Sequence, residues 1–390
     1  MKTTILAAAI TLAVSTTAFS ADLKFQPGSD SRFNWESYEQ LKNVDLKGET
    51  LTIFGPWLTE DKALVESVIA YFEAATGAVV KYSGSDSFEQ QVVIDVQAGS
   101  APNISIFPQP GLAAALASKG YLTPLDGKTA DWIKDNYAAG SSWVDLGTFA
   151  GKDKKDHLYG FFYKVDLKSL VWYIPENFED AGYEIPKTME ELKALTDQIV
   201  ADGGTPWCIG LGSGGATGWP ATDWVEDIML RINAPEDYDA WVRNEIGFDD
   251  PKVIEAIEKF GVFARNDAFV NGGVSAVANT DFRDSPSGLF AIPPQCYMHR
   301  QASFIPAFFP DGTTMGQDVD FFYFPAFADK ELGKPVLGAG MLFSVTDPSE
   351  AATAMLEFLK LPVTHETWMA QGGFLTAHAG VNPMTYIDDS

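Results

Sequence analysis

The chain has 390 residues, with 27 Lys and Arg against 53 Asp and Glu and a net charge of −26. Such an acidic balance repels nucleic acid and anionic membrane surfaces and keeps a protein in solution, so polyanion-binding functions are excluded and a monomer is expected. A length well above the roughly 100–200 residues of one domain predicts two lobes, and 10 Trp, 13 Tyr and 27 Phe leave aromatic side chains for a binding surface once the cores are filled.

The N-terminal "MKTTILAAAITLAVSTTAFS" combines Lys2, an apolar run from Ile5 to Val14 and the small-x-small triplet Ala18-Phe19-Ser20, which together describe a secretory signal peptide over residues 1–20. The run is too short for a membrane span, which needs about 20 apolar residues. No cysteine follows it to carry a lipid. A soluble protein exported to the periplasm is expected. In that oxidising compartment the lone pair Cys208 and Cys296 points to a disulfide rather than to a metal site or nucleophile. The four histidines lie far apart without metal-ligand spacing, and no metal or cofactor is expected.

From Glu49 the pattern becomes regular. "ETLTIF" alternates as a strand, and "TEDKALVESVIAYFEAATG" is a helix with Thr59 as a cap, Glu60 and Asp61 at its positive end and Gly77 as its stop. "AVVKY" is the next strand, Ser87 and Gln90 form a capping box opening "SFEQQVVIDVQAG", and "NISIF" and "PGLAAALASKG" complete a β-α-β-α-β-α series. That order predicts an open, mostly parallel sheet with helices on both faces. "GKDKKDH" reads as a solvated loop, and "FFYKVDLKSLVWY" ends the unit and leads into a second.

In the second unit, Thr188 and Glu191 predict a capped helix "MEELKALTDQIVADG". "TPWCIGL", "GLFAIPP", "VDFFYFP" and "GMLFSVT" read as strands, while "PATDWVEDIMLRI", a helix opened by Asp250-Pro251, and "DPSEAATAMLEFLKLP" with an Asp cap read as helices.

Between strand and helix lies "GLGSGG", Gly210 to Gly215, with the G-x-G-x-x-G spacing of a dinucleotide loop. A nucleotide loop would place the third glycine in the first turn of a helix, with an acid at the ribose position on a following strand. Here Ala-Thr-Gly-Trp-Pro intervenes before the next helix, so nucleotide binding is not supported. A flexible linker, or a loop whose backbone approaches another ligand beside Trp219, remains. In an open α/β sheet, ligands sit beyond the carboxyl ends of the strands, where Trp57 and Glu60, Asp86 and Gln109 fall. Aromatic faces with acids and amides suit a sugar, whose C–H patches stack and whose hydroxyls pair with polar groups.

"LTIFGPWLTEDKALVESVIAYFEAATG", "AGSAPNISIFPQPGLAAALASKGYLTPLD", "PKTMEELKALTDQI" and "WMAQGGFLTAHAGVN" resemble, in the same order, the extracellular solute-binding proteins of carbohydrate ABC transporters. "GTPWCIGLGSGGATGWPATDWVED" and "PPQCYMHRQASFIPAFFP" are similar to the α-glucoside-binding members of that family. The resemblance implies a two-lobed periplasmic-binding-protein fold of the maltose-binding type, each lobe a mostly parallel sheet flanked by helices, with an oligosaccharide held in the cleft between lobes. It implies a first lobe of residues 21–164 plus 326–361 and a second of 165–325 plus 362–390. By position, Trp57, Glu60, Asp86, Gln109, Tyr163 and Asp166 would line the first lobe and hinge. Trp219, Tyr297 and Arg300 would face them, with Gly340 and Met341 on a strand at the cleft. Relatives continue for several dozen residues past "AHAGVN", so the second lobe is expected to be incomplete at its C-terminus. The implied function is capture of an α-glucoside such as trehalose, sucrose or maltose for an inner-membrane ABC permease, without catalysis. The alternative is a secreted glycosidase, which needs two carboxylates placed across one bond.

Overall fold

The computed structural model describes residues 23–386; the expected signal peptide lies outside them. Helix α1 (Trp35–Leu41) precedes the series β1 (Thr50–Gly55), α2 (Thr59–Thr76), β2 (Val79–Gly84), α3 (Phe88–Ala98), β3 (Ile104–Phe107) and α4 (Pro110–Lys119). Helices α5 (Gly127–Asn136) and α6 (Gly140–Leu146) and the hairpin β4 (Thr148–Ala150) and β5 (Asp156–Leu158) lead to β6 (Phe161–Leu167). The lysine-rich segment expected as a solvated loop is the tip of that hairpin.

The first-lobe sheet has the order β2-β1-β3-β10-β6, where β10 is Gly338–Val345. β1 pairs in parallel with β2 and β3, whereas β10 runs antiparallel to both β3 and β6, so the sheet is mixed. Period-2 alternation sends Leu51, Ile53, Ile104 and Ile106 to one face and Phe54 and Phe107 to the other. Each face then buries a helical layer, α2 on the first and α3 with α4 on the second.

The second lobe opens with β7 (Leu170–Tyr173), α7 (Pro175–Ala181), α8 (Met189–Ala201), α9 (Trp219–Ile232), α10 (Pro235–Val242), α11 (Pro251–Ala264) and α12 (Val274–Val277). β8 (His299–Arg300) and β9 (Asp320–Tyr323) complete it, and both pair with β7 antiparallel. The expected mostly parallel sheet is thus reduced here to single bridges, Trp207 with Val270 and with Met298. "GLFAIPP" is not a strand: Ser285–Phe290 forms a 3-10 turn, because its prolines remove the N–H groups a ladder needs.

Helices α13 (Glu350–Leu359) and α14 (Pro362–Met369) return to the first lobe. Residues 362–390 had been expected with the second lobe. Val363, Trp368, Met369 and Phe374 instead join the first-lobe core beside Trp35 and Phe72. None of the described helices is long and apolar enough to cross a membrane.

Several helix ends follow the sequence and others do not. Gly77 is left-handed and ends α2, and Thr188 accepts from the Glu191 N–H at 3.1 Å while the Glu191 carboxylate accepts from the Lys187 N–H at 2.7 Å. Thr59 is already the first residue of α2, leaving Leu58 at the cap with no side-chain oxygen to offer. For α13 the cap is Ser349, which accepts from the Ala352 N–H at 3.0 Å, and not Asp347. Ser87 and Gln90 form no capping box, since Gln90 is engaged elsewhere.

Candidate functional site

The turns after β1 and β2 face the second lobe's glycine loop and the 282–309 segment. Contact across the boundary is direct. Arg283 donates to Asp86 at 2.9 Å and to its neighbour Asp281 at 3.2 Å. Gln90 Nε2 donates to the Gly215 carbonyl at 3.1 Å. A Cβ on Gly214 would stand 2.6 Å from Asp86 Cβ, and one on Gly215 would stand 2.8 Å from Ser87 Oγ. The glycines of "GLGSGG" therefore let this backbone close onto the opposing lobe, which no other residue type would allow.

Next to this contact a cavity of about 290 Å³ is lined by Glu60, Arg283, Phe308, Phe309 and Asp311, close to the roughly 300–1,000 Å³ of small-molecule sites. Elsewhere along the lobe boundary, aromatic and charged groups pack together. Lys168 Nζ lies 4.8 Å from the Trp219 ring centre and 5.9 Å from that of Phe304, and donates to Asp223 at 2.7 Å. The Trp219 ring meets Phe282 edge-on at 5.0 Å. Lys164, buried on β6, pairs with Asp166 two residues on and lies 5.3 Å from the Phe304 ring centre.

Asp61 completes the group. It sits in the first turn of α2, buried, with no side-chain hydrogen bond among the described residues. Loss of water pushes its pKa up to about 6; Lys164 and Arg283 pull the other way, and Asp166 adds to the rise. A carboxyl with two cations near enough to stabilise its charge and no donor of its own is poised to accept hydroxyl hydrogen bonds.

Of the residues expected at the site, Glu60, Asp86, Asp166 and Trp219 fall in or beside this group. The others do not. Trp57 is buried against Trp368 at 5.1 Å and Phe343 at 6.1 Å, so its indole is core rather than platform. Tyr163 is fully buried and donates to the Thr364 carbonyl at 2.7 Å. Gln109 is spent on α4, accepting from the N–H groups of Gly111 and Leu112 at 2.6 and 3.3 Å, and on Glu89 at 3.0 Å. Tyr297 packs edge-on against Tyr183 at 5.3 Å and beside Gly204, on the second lobe's own core. Arg300 is buried on Asp227 at 2.7 Å. A Cβ on Gly340 would meet Phe162 at 2.7 Å, and Met341 packs on the first-lobe core, so both serve packing.

Sequence reasoning missed Asp61, Lys164, Lys168, Arg283 and Phe304. The available signal was the pair of lysines four apart in "YKVDLKS", each two residues from Asp166, at the end of an otherwise apolar strand. Asp61 was hidden because a first-turn acid is also what the helix dipole favours.

Cys208 and Cys296 form a disulfide, Cα to Cα 5.5 Å, in a cluster with Trp172, Leu289 and Phe304. Cys296 follows the 3-10 turn rather than a strand, and Tyr297 beside it points away from the cleft contact.

Two α/β lobes with an aromatic and charged group enclosed between them define a solute-binding protein. The chain belongs to the bacterial extracellular solute-binding protein family, whose model matches residues 55–363. It is similar to the alpha-glucosides-binding periplasmic protein AglE of Rhizobium meliloti (strain 1021), with 65% identity over 94% of this chain and 81% of the relative. It is also similar to the osmoprotective compounds-binding protein GgtB of Synechocystis, with 39% identity over 89% of this chain and 80% of the relative. The fold matches that of the bacterial solute receptor AcbH with a TM-score of 0.72 at 21% identity, covering 87% of this chain and 83% of the receptor.

Proposed function

We propose that this protein captures an α-glucoside of the trehalose, sucrose or maltose type in the periplasm and delivers it to an inner-membrane ABC permease. The observation that carries this is the enclosed group of Asp61, Lys164, Asp166, Lys168, Trp219 and Phe304, in which rings offer faces to a pyranose and charged groups offer partners to its hydroxyls. The 65% identity to an α-glucoside-binding relative supports the substrate class, and the N-terminal signal pattern supports the compartment. Residues 23–164 with 326–386 form one lobe and 165–325 the other, as the packing of the C-terminal helices suggests. Glu60, Asp86, Asp166 and Trp219 contact the ligand, together with Asp61, Lys164, Lys168 and Arg283. The protein acts as a monomer and performs no chemistry on the sugar.

Titration calorimetry with trehalose, sucrose, maltose and cellobiose tests this. An α-linked disaccharide binds and is recovered intact after long incubation. At a hundredfold excess over Kd it stabilises the fold by about 2.7 kcal/mol. Binding of none of the α-linked sugars overturns the substrate class, and protein-dependent release of glucose moves the function to a glycosidase.

A further inference from the structure

Two adjacent crossings join the lobes, residues 167–170 and 324–337. They are laced together: the Lys168 N–H donates to the Leu337 carbonyl at 2.8 Å, the Phe324 N–H to the Ser169 carbonyl at 2.9 Å, and the Leu337 N–H to Ser169 Oγ at 2.9 Å. One face of α9 holds both. Asp223, Asp227 and Arg231 recur every fourth residue and so lie in a single row along the helix. Asp223 takes Lys168 of the first crossing at 2.7 Å. Asp227 accepts from Ser169 Oγ at 2.8 Å and pairs with Arg231. Arg231 donates to the carbonyls of Phe324 at 2.7 Å, Pro325 at 3.1 Å and Pro335 at 3.2 Å, all on the second crossing.

Asp227 and Arg231 are fully buried and Asp223 nearly so. Buried ion pairs contribute little net stability compared with apolar packing of the same volume. What this row supplies is direction, because each charge holds a particular group of a crossing: the Lys168 ammonium, the Ser169 hydroxyl, or the carbonyls of Phe324, Pro325 and Pro335. The same helix begins at Trp219, on the cleft floor, and its 14 residues span about 21 Å. One rigid element thus touches both the ligand site and the hinge.

We propose that Asp223, Asp227 and Arg231 are positioning residues for lobe closure. They hold the two crossings at a set angle to α9 and so set the angle between the lobes, without touching the ligand. This rests on the two-lobed fold and not on the identity of the sugar.

The test measures the interlobe distance between spin labels on Lys128→Cys and Glu255→Cys, both exposed and one in each lobe, in the oxidised full chain. Asp223→Asn, Asp227→Asn and Arg231→Lys are compared with Val253→Ala, which opens a gap in the second-lobe core away from the hinge. Each folded row variant shows a shifted or broadened distance distribution without ligand, whereas Val253→Ala lowers Tm and leaves the distribution alone. Asp223→Asn removes only the charge that holds Lys168, so it stays informative where the two deeper variants fail to fold. With maltose as probe, the dissociation rate of Asp223→Asn rises three- to tenfold and the association rate changes less than twofold. Unchanged distances in folded Asp223→Asn, or an equal change in Val253→Ala, overturn the proposal. Failure of maltose, trehalose and sucrose to bind the parent protein overturns the substrate class instead, and the ligand-free distances still decide the hinge.

Discussion

In the first lobe, residues reach the cleft from turns at the ends of a regular sheet, and the helices behind it are held by apolar faces. In the second, they come from a glycine loop, from the start of α9 and from 3-10 turns, and the support behind them is a disulfide and a buried row of charges. Apolar periodic packing tolerates local change and specifies shape loosely. A charged row tolerates little and specifies direction, which suits the side that carries the hinge.

The contrast is tested first at the disulfide. Replacing both Cys208 and Cys296 with Ser releases a loop of 88 residues, and chain entropy sets the loss at roughly 4–5 kcal/mol. Urea unfolding followed by separate probes of the two lobes is expected to show the second lobe melting first. Simultaneous melting would mean the lobes are not distinct in their support. In the first lobe the counterpart is Trp57→Ala, which empties a buried site beside Trp368 and is expected to cost about 3–5 kcal/mol of stability. A loss of sugar affinity with unchanged stability would return Trp57 to the cleft.

Acid sharpens the comparison from another side. His365 in the first lobe gives its Nε2–H to the Leu359 carbonyl at 2.9 Å, accepts from Thr376 at Nδ1 at 2.8 Å, and burial holds its pKa well below the ordinary 6.5. His299 in the second lobe is lowered to about 4, also by burial. Both are neutral in the fold and bind protons more readily when unfolded. Their stabilisation is therefore complete above about pH 6.5 and is lost as the pH falls toward the folded values. Unfolding free energies measured at pH 7 and pH 5 are expected to fall in both lobes. Asp61 and, in the second lobe, Glu226 have the opposite sign: burial raises them to about 6 and about 7, and their burial cost eases as the pH drops through those values, so a rise in stability on acidification would show that these two carboxyls outweigh the histidines. The smallest effect is at a helix end: Thr188→Ala removes the α8 cap and is expected to cost about 1 kcal/mol, confined to the second lobe.

The first lobe was legible because its elements obey period 2 and period 3.6, and β1 through α4 fell where the pattern placed them. The disulfide was legible from compartment and count. The second lobe was not, since strands as short as His299–Arg300 leave no alternation to read. Site residues fared worse for a related reason. Glu60 and Asp86 follow from strand ends, but a strand-end residue can also turn inward, as Trp57 does against Trp368. Arg283 and Asp86 meet only because residues 197 positions apart in the chain are brought together, and nothing local marks Arg283 or the buried Asp61.

The bond between Asp86 and Arg283 has a further consequence wherever ionic strength varies. Both side chains are partly open to solvent, 29% and 16%, so dissolved ions reach the pair. At about 0.15 M salt, charges are screened over roughly 8 Å, and dilution extends that reach. The lobes of this protein should then part more readily at high than at low ionic strength, making retention of a sugar responsive to salt. Dissociation rates of bound maltose measured from low to high sodium chloride are expected to climb in the parent protein and stay nearly flat in Arg283→Gln.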